Sequence, residues 1–119
     1  MSTLHLKILV ILLIFLGEAL AIYAEIIAAK SNAIKPNYFL QIFLKGFMII
    51  IVGGALLIGG YMLGFKHFKN IWIVTVISIT SILIVEPILN YIIFQQLPTR
   101  GAIIGLIFGL LGFISAIFL

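Results

Sequence analysis

Residues 8–29 read ILVILLIFLGEALAIYAEIIAA, an apolar run interrupted by two carboxylates, Glu18 and Glu25. An apolar segment of about 20 residues has, as a helix, the length that crosses the hydrocarbon of a bilayer. No water is present there to satisfy backbone N–H and C=O groups, so the segment must close its own hydrogen bonds as an α-helix. Glu18 lies near the middle of the run, where a charged side chain costs about 2.5–3.5 kcal/mol on insertion scales. The chain has three acidic residues, and one of them takes the most expensive position available. Glu18 is therefore the first candidate for a functional group.

The rest of the 119-residue chain follows the same pattern. It is 65% hydrophobic and 8% charged, too apolar for a soluble domain. Charges and prolines divide it into four expected spans, about 8–29, 38–65, 71–94 and 101–119, forming one all-α transmembrane domain over 1–119. Short loops join the spans: 30–37, 66–70 and 95–100. A soluble catalytic domain has no room, so no enzyme activity is expected. The lack of cysteine excludes disulfides and thiolate metal sites, and neither metal nor cofactor is expected. The net charge of +4 comes from seven basic residues scattered singly. In a membrane chain these belong to loops and lipid phosphates, and nucleic acid is not an expected partner.

Lys7, the apolar run and the triplet Ala19-Leu20-Ala21 have the features of a signal peptide, but the run continues to Ala29, which favours a retained span. With four spans, Lys7, Lys66 and Lys69 fall on one side of the membrane and Lys30, Lys35 and Arg100 on the other. That balance carries almost no positive-inside bias. Either a partner or a weak signal sets the orientation, or copies insert both ways and pair antiparallel.

Inside the spans, Glu18 and Glu25 are seven residues apart and project from one helix face, about 10 Å apart, with Ala21 and Ala29 beside them. Burial disfavours a bare charge, so protonation of Glu18 can be coupled to what occupies the site; the alternative reading is a protonated carboxyl that only hydrogen-bonds a neighbouring helix. Glu25 and Lys45 lie at similar depths from the 30–37 loop, and an ion pair between them is the economical expectation. The alternative is that Lys45, with Gln41 one turn earlier, faces an anionic group such as a lipid phosphate. On the third span Thr75, Glu86 and Asn90 share a face. Glu86 has two open readings, a helix-packing hydrogen bond or a second site carboxylate. Pro87 removes the donor that the Leu83 carbonyl would use, and a kink or hinge is expected. Ser78, Thr80 and Ser81 are weaker signals, because such hydroxyls commonly bond back to their own helix.

Glycines mark expected packing seams. Gly46, Gly53 and Gly60 recur every seven residues on the second span, with Gly64 beside them. Gly101, Gly105, Gly109 and Gly112, with Ala116, form a stripe on the fourth span. Spacings of this kind let membrane helices approach closely, and the uncharged fourth span suits an interface with another helix of this chain or with a second chain.

The stretch Phe94-Gln-Gln-Leu-Pro-Thr-Arg-Gly-Ala-Ile-Ile-Gly105 through Gly112 resembles the last span of the small multidrug resistance proteins, within the drug/metabolite transporter superfamily. Gln96, Gly105 and Gly112 match the spacing of that family, and Tyr61–Lys66 through Trp72 is similar to its second-to-third loop. The family's coupling residue is a glutamate in the middle of the first span, and Glu18 is the matching position. Architecture is shared over most of the chain, motif only over its last third. The chain departs in four respects: Lys30 follows Glu18 by twelve residues rather than eight, Thr75 and Ser78 stand where the family has an aromatic pair, Glu25 and Lys45 are additional membrane charges, and Glu86-Pro87, similar to an acid–proline pair of larger superfamily members, lies closer to the last span than theirs.

The resemblance implies a drug/metabolite transporter-like half that works as a dimer, either an antiparallel homodimer or a heterodimer with a similar chain. The expected function is a proton-coupled exporter of small cationic or amine compounds in a prokaryotic inner membrane. Glu18 would be competed for by protons and substrate, with Glu25, Glu86 and Asn90 extending the site and the third span moving about Pro87. A flippase subunit for a lipid-linked sugar and a non-transporting accessory subunit of a membrane complex are the alternatives.

Overall fold

The computed structural model describes residues 3–119. The order is α1 (Thr3–Ile34), a 3-10 turn (Pro36–Tyr38), α2 (Phe39–Phe68), α3 (Ile71–Phe94) and α4 (Arg100–Phe118). All four α-helices are long and apolar enough to cross a membrane. The expected span 71–94 coincides with α3, whereas α1 extends about a turn beyond its span at each end.

Local chemistry explains the breaks. Lys35 precedes Pro36, whose ring disfavours the helical conformation of the residue before it, and α1 ends there. Lys69 closes α2 in the left-handed conformation (φ 58°), its N–H bonding the Phe65 carbonyl. The Asn70 side chain then caps α3 by accepting from the Trp72 N–H at 2.9 Å. Gln95 ends α3 in the same left-handed manner (φ 55°), with its N–H on the Tyr91 carbonyl. Thr99 starts α4 by accepting from the Ala102 N–H. The second and third connections thus each cap the helix that follows them with a side chain, whereas the first, through Pro36–Tyr38, has no side-chain cap.

α1 is the central helix and runs antiparallel to α2. Gly46, Gly53, Gly60 and Gly64 of α2 are all buried, and they meet a row of small and apolar residues on α1. A Cβ at Gly17 would lie 2.7 Å from Leu57 Cγ and 2.9 Å from the Gly53 carbonyl, and one at Gly53 would lie 3.0 Å from the Gly17 carbonyl. The backbones touch at this crossing, and the seven-residue glycine spacing keeps them close from Gly64 beside Val10 to Gly46 beside Ala24 and Ala28.

α3 packs along the other side of α1. Near the 66–70 loop the three helices share one core: Val10, Ile14 and Val74 are fully buried, with Leu57, Tyr61, Leu63, Phe68 and Ile77 against them. Toward the opposite end, Ile22, Ile26 and Val85 form a second core with Ile82, Leu89 and Ile93, to which α2 contributes nothing. Helices α2 and α3 therefore meet beside their shared loop and separate away from it, while α1 follows both.

α4 approaches α3 alone and has no buried residue. The molecule measures 49 × 33 × 18 Å, so it is no more than about two helix diameters thick. It is a three-helix core with a fourth helix laid against one edge.

Candidate functional site

On α1, the residues facing α2 (Val10, Ile14, Gly17, Ala24) and those facing α3 (Ile22, Ile26) leave a strip between them. With 3.6 residues per turn, Glu18 and Glu25 occupy that strip. They lie on the α3 side of the α1–α2 seam. Glu18 is half-buried, and its Oε1 accepts a hydrogen bond of 2.5 Å from the Ser78 hydroxyl. Ser78 is itself buried on the α1 side of α3. Glu25, two turns further from the three-helix core, is exposed.

Ser78 is the residue that the sequence reading undervalued. Thr75, Thr80 and Ser81 do bond back to carbonyls four residues earlier, at 3.0, 2.6 and 2.8 Å. Ser78 alone of this set turns to another helix. Its position relative to Val74, Ser81 and Val85, the other buried residues of α3, is the periodic signal that places it on the α1 face.

The expected Glu25–Lys45 ion pair does not form. Both side chains are exposed, and they leave the α1–α2 seam on opposite flanks. Glu25 faces the α3 side, whereas Lys45 lines a groove of about 420 Å³ with Ser31, Lys35, Tyr38 and Gln41 on the other side. Depth was matched, but direction was not. Lys30, at the end of α1, instead donates to the Ile93 carbonyl at 2.6 Å, placing a cation on the unsatisfied C-terminal end of α3. At the other end of the molecule the Lys7 ammonium lies 5.3 Å from the centre of the Phe68 ring.

Glu86 and Asn90 lie on a different flank of α3 from Ser78. They line a groove of about 790 Å³ between the C-terminal half of α3 and the N-terminal half of α4, with Gln96 and Thr99 also in its wall. Glu18 and Glu86 are thus not gathered into one pocket by a single chain. Pro87 borders the same groove within an unbroken helix. Of the glycine stripe on α4, only Gly109 meets its own chain: a Cβ there would come 3.1 Å from Leu83 Cδ2, while Cβ atoms at Gly101, Gly105 and Gly112 would meet open space. The expected close packing of that stripe within the chain is therefore limited to one residue. Among the described residues no group of three or more His, Asp or Glu side chains is placed to hold a metal ion.

What this arrangement offers chemically is a half-buried carboxylate at mid-span, bonded to the Ser78 hydroxyl. A carboxylate so placed can exchange its proton for a cation without a change of net charge in the membrane. Compared with protein-family models, curated proteins and solved structures, the chain has no match.

Proposed function

We propose that this protein is a small proton-coupled exchanger of cationic or amine compounds, acting as a dimer in a prokaryotic inner membrane. The observation that carries the reading is the Glu18–Ser78 pair: a half-buried carboxylate on the α3 side of the α1–α2 seam, bound by the Ser78 hydroxyl. A carboxylate serving only to join helices gains by having all of its acceptor positions satisfied. Among the described residues Glu18 has one protein donor, Ser78, which leaves its second oxygen for a proton or for the cation that displaces it. The flat shape of the chain supports dimerisation, because a body 18 Å across in its thinnest direction does not surround a pathway for a solute. Two copies together supply two Glu18 clefts, and rocking of the halves about them would give alternating access.

The test is proton release from the purified chain in weakly buffered detergent on addition of tetraethylammonium or an alkylamine. The parent is expected to release protons in proportion to ligand bound, and Glu18→Gln to release none. Ligand-induced release that survives the substitution would remove Glu18 from the coupling step. Absence of release from the parent with every cation tried, despite measured binding, would remove proton coupling altogether.

A further inference from the structure

We propose that the groove between the end of α1 and the start of α2 binds the phosphate of an anionic membrane lipid. It has a volume of about 420 Å³, and its polar lining is Ser31, Lys35, Tyr38, Gln41 and Lys45. Every one of these side chains can donate a hydrogen bond, two are cationic and none is a carboxylate. Two lysines lining one groove put two positive charges in one neighbourhood, and an anion bound there relieves their repulsion. The chain supplies none: Glu18 is bonded to Ser78, Glu25 is exposed on the opposite flank of the α1–α2 seam, and Glu86 belongs to the α3–α4 groove.

The depth of the two lysines selects a lipid. Lys35 stands at the helix break, whereas Lys45 is six residues past the start of α2 at Phe39, about 9 Å below that start at 1.5 Å per residue. A lysine at that depth extends its chain toward the boundary and keeps its ammonium at the level of the headgroups. Below Lys45 the same face of α2 continues as Met48 and Val52, three and seven residues on, which are 65% and 55% exposed. Donors above and an apolar track beneath match a phosphate that carries acyl chains. An inorganic phosphate ion would use the donors and leave the track empty.

The inference does not rest on the exchange reading of Glu18, and its experiment separates the two. The full chain in detergent is titrated with dioctanoyl phosphatidylglycerol, dioctanoyl phosphatidylcholine or inorganic phosphate, and bound lipid is counted by native mass spectrometry. The parent is expected to prefer phosphatidylglycerol to phosphatidylcholine. Each lysine removed should weaken phosphatidylglycerol binding about five-fold, and the Lys35→Gln/Lys45→Gln pair about twenty-five-fold. Lys66→Gln/Lys69→Gln, at the other end of the bundle, should leave it unchanged, as should Glu18→Gln. Equal losses from the two lysine pairs would mean diffuse charge and overturn the site. Displacement of phosphatidylglycerol by inorganic phosphate at equal concentration would overturn the lipid as its ligand. If the glutamine pair fails to insert, the single variants decide. Unchanged binding in both singles would overturn the proposal, and recovery in Lys35→Arg/Lys45→Arg would support it.

Discussion

Ser78 donates its hydroxyl to Glu18 where Thr75, Thr80 and Ser81 each turn back to their own helix. Hydrogen bonds between membrane helices average about 0.6 kcal/mol and reach about 1.7, so Ser78→Ala should lower stability only slightly, measured as the unfolding midpoint in mixed micelles. Its effect on function should be larger. With the donor gone, the carboxylate is held less firmly, so proton release per amine bound should fall at fixed amine concentration, and unchanged release would assign Ser78 to packing alone. A contrasting outcome is expected at Gly17 and Gly53, where the neighbours of an added Cβ include backbone carbonyl oxygens at 2.9 and 3.0 Å. Backbone cannot swing aside as a side-chain tip can, so Gly17→Ala should cost about 1–3 kcal/mol of stability, as overpacking does. The same unfolding measurement checks it.

Among the elements, α3 carries two devices near its C-terminal end. The Lys30 ammonium holds the Ile93 carbonyl, tying the last turn of α3 to α1. Lys30→Met should loosen that turn by about 0.3–1 kcal/mol, the usual range for a cation at a helix C-terminus. Faster hydrogen exchange of the Ile93, Phe94 and Gln95 amides, with the Val74–Ser78 region unchanged, is the expected reading. The second device is Pro87. It takes away the amide that would bond the Leu83 carbonyl, and Leu83 is also the residue on which Gly109 of α4 rests. The weakest point in the α3 backbone ladder thus coincides with the place where α4 is attached. Pro87→Ala should restore the missing bond and stiffen α3 there. The expected result is slower amine exchange across vesicles with the fold retained, and an unchanged rate would discard Pro87 as the hinge.

For the molecule as a whole, α4 is the exceptional part. Its partner within the chain is α3 alone, and Gly101, Gly105 and Gly112 open onto empty space. A Cβ at Gly105 meets no atom within 4 Å and the groove beside α3 leaves room beyond it, so Gly105→Leu should leave the helix content and unfolding midpoint of the monomer intact. If the glycine stripe is the dimer contact, the same variant should lose crosslinked dimer in vesicles, and undiminished crosslinking would place the contact elsewhere. Two of the basic residues mark the opposite ends of the bundle: Lys7 lies at Phe68, and Lys30 lies at Ile93. Reporter fusions at the carboxyl terminus are expected to give signal from both sides of the membrane if copies insert both ways. Signal from one side alone would end the antiparallel arrangement.

The number of helices, their limits to within about a turn, and the glycine seam of α2 were legible in the residues themselves. Backbone hydrogen bonding in hydrocarbon leaves only the helix, and the rise and turn of a helix are set by covalent geometry, so a period read along the chain becomes a face in space. The mid-span depth of Glu18 was legible for a similar reason, since depth is countable along a helix. What only the tertiary structure decided was direction. Glu25 and Lys45 share a depth but leave the α1–α2 seam on opposite flanks. Ser78 was grouped with hydroxyls that bond to their own helix until α1 was placed beside it. The stripe on α4 was ready for close packing, yet only Gly109 met a neighbour. Which flank of a helix confronts which neighbour depends on how helices distant in sequence cross and diverge. Spacing within one helix carries no term for that, and the parting of α2 from α3 is its consequence.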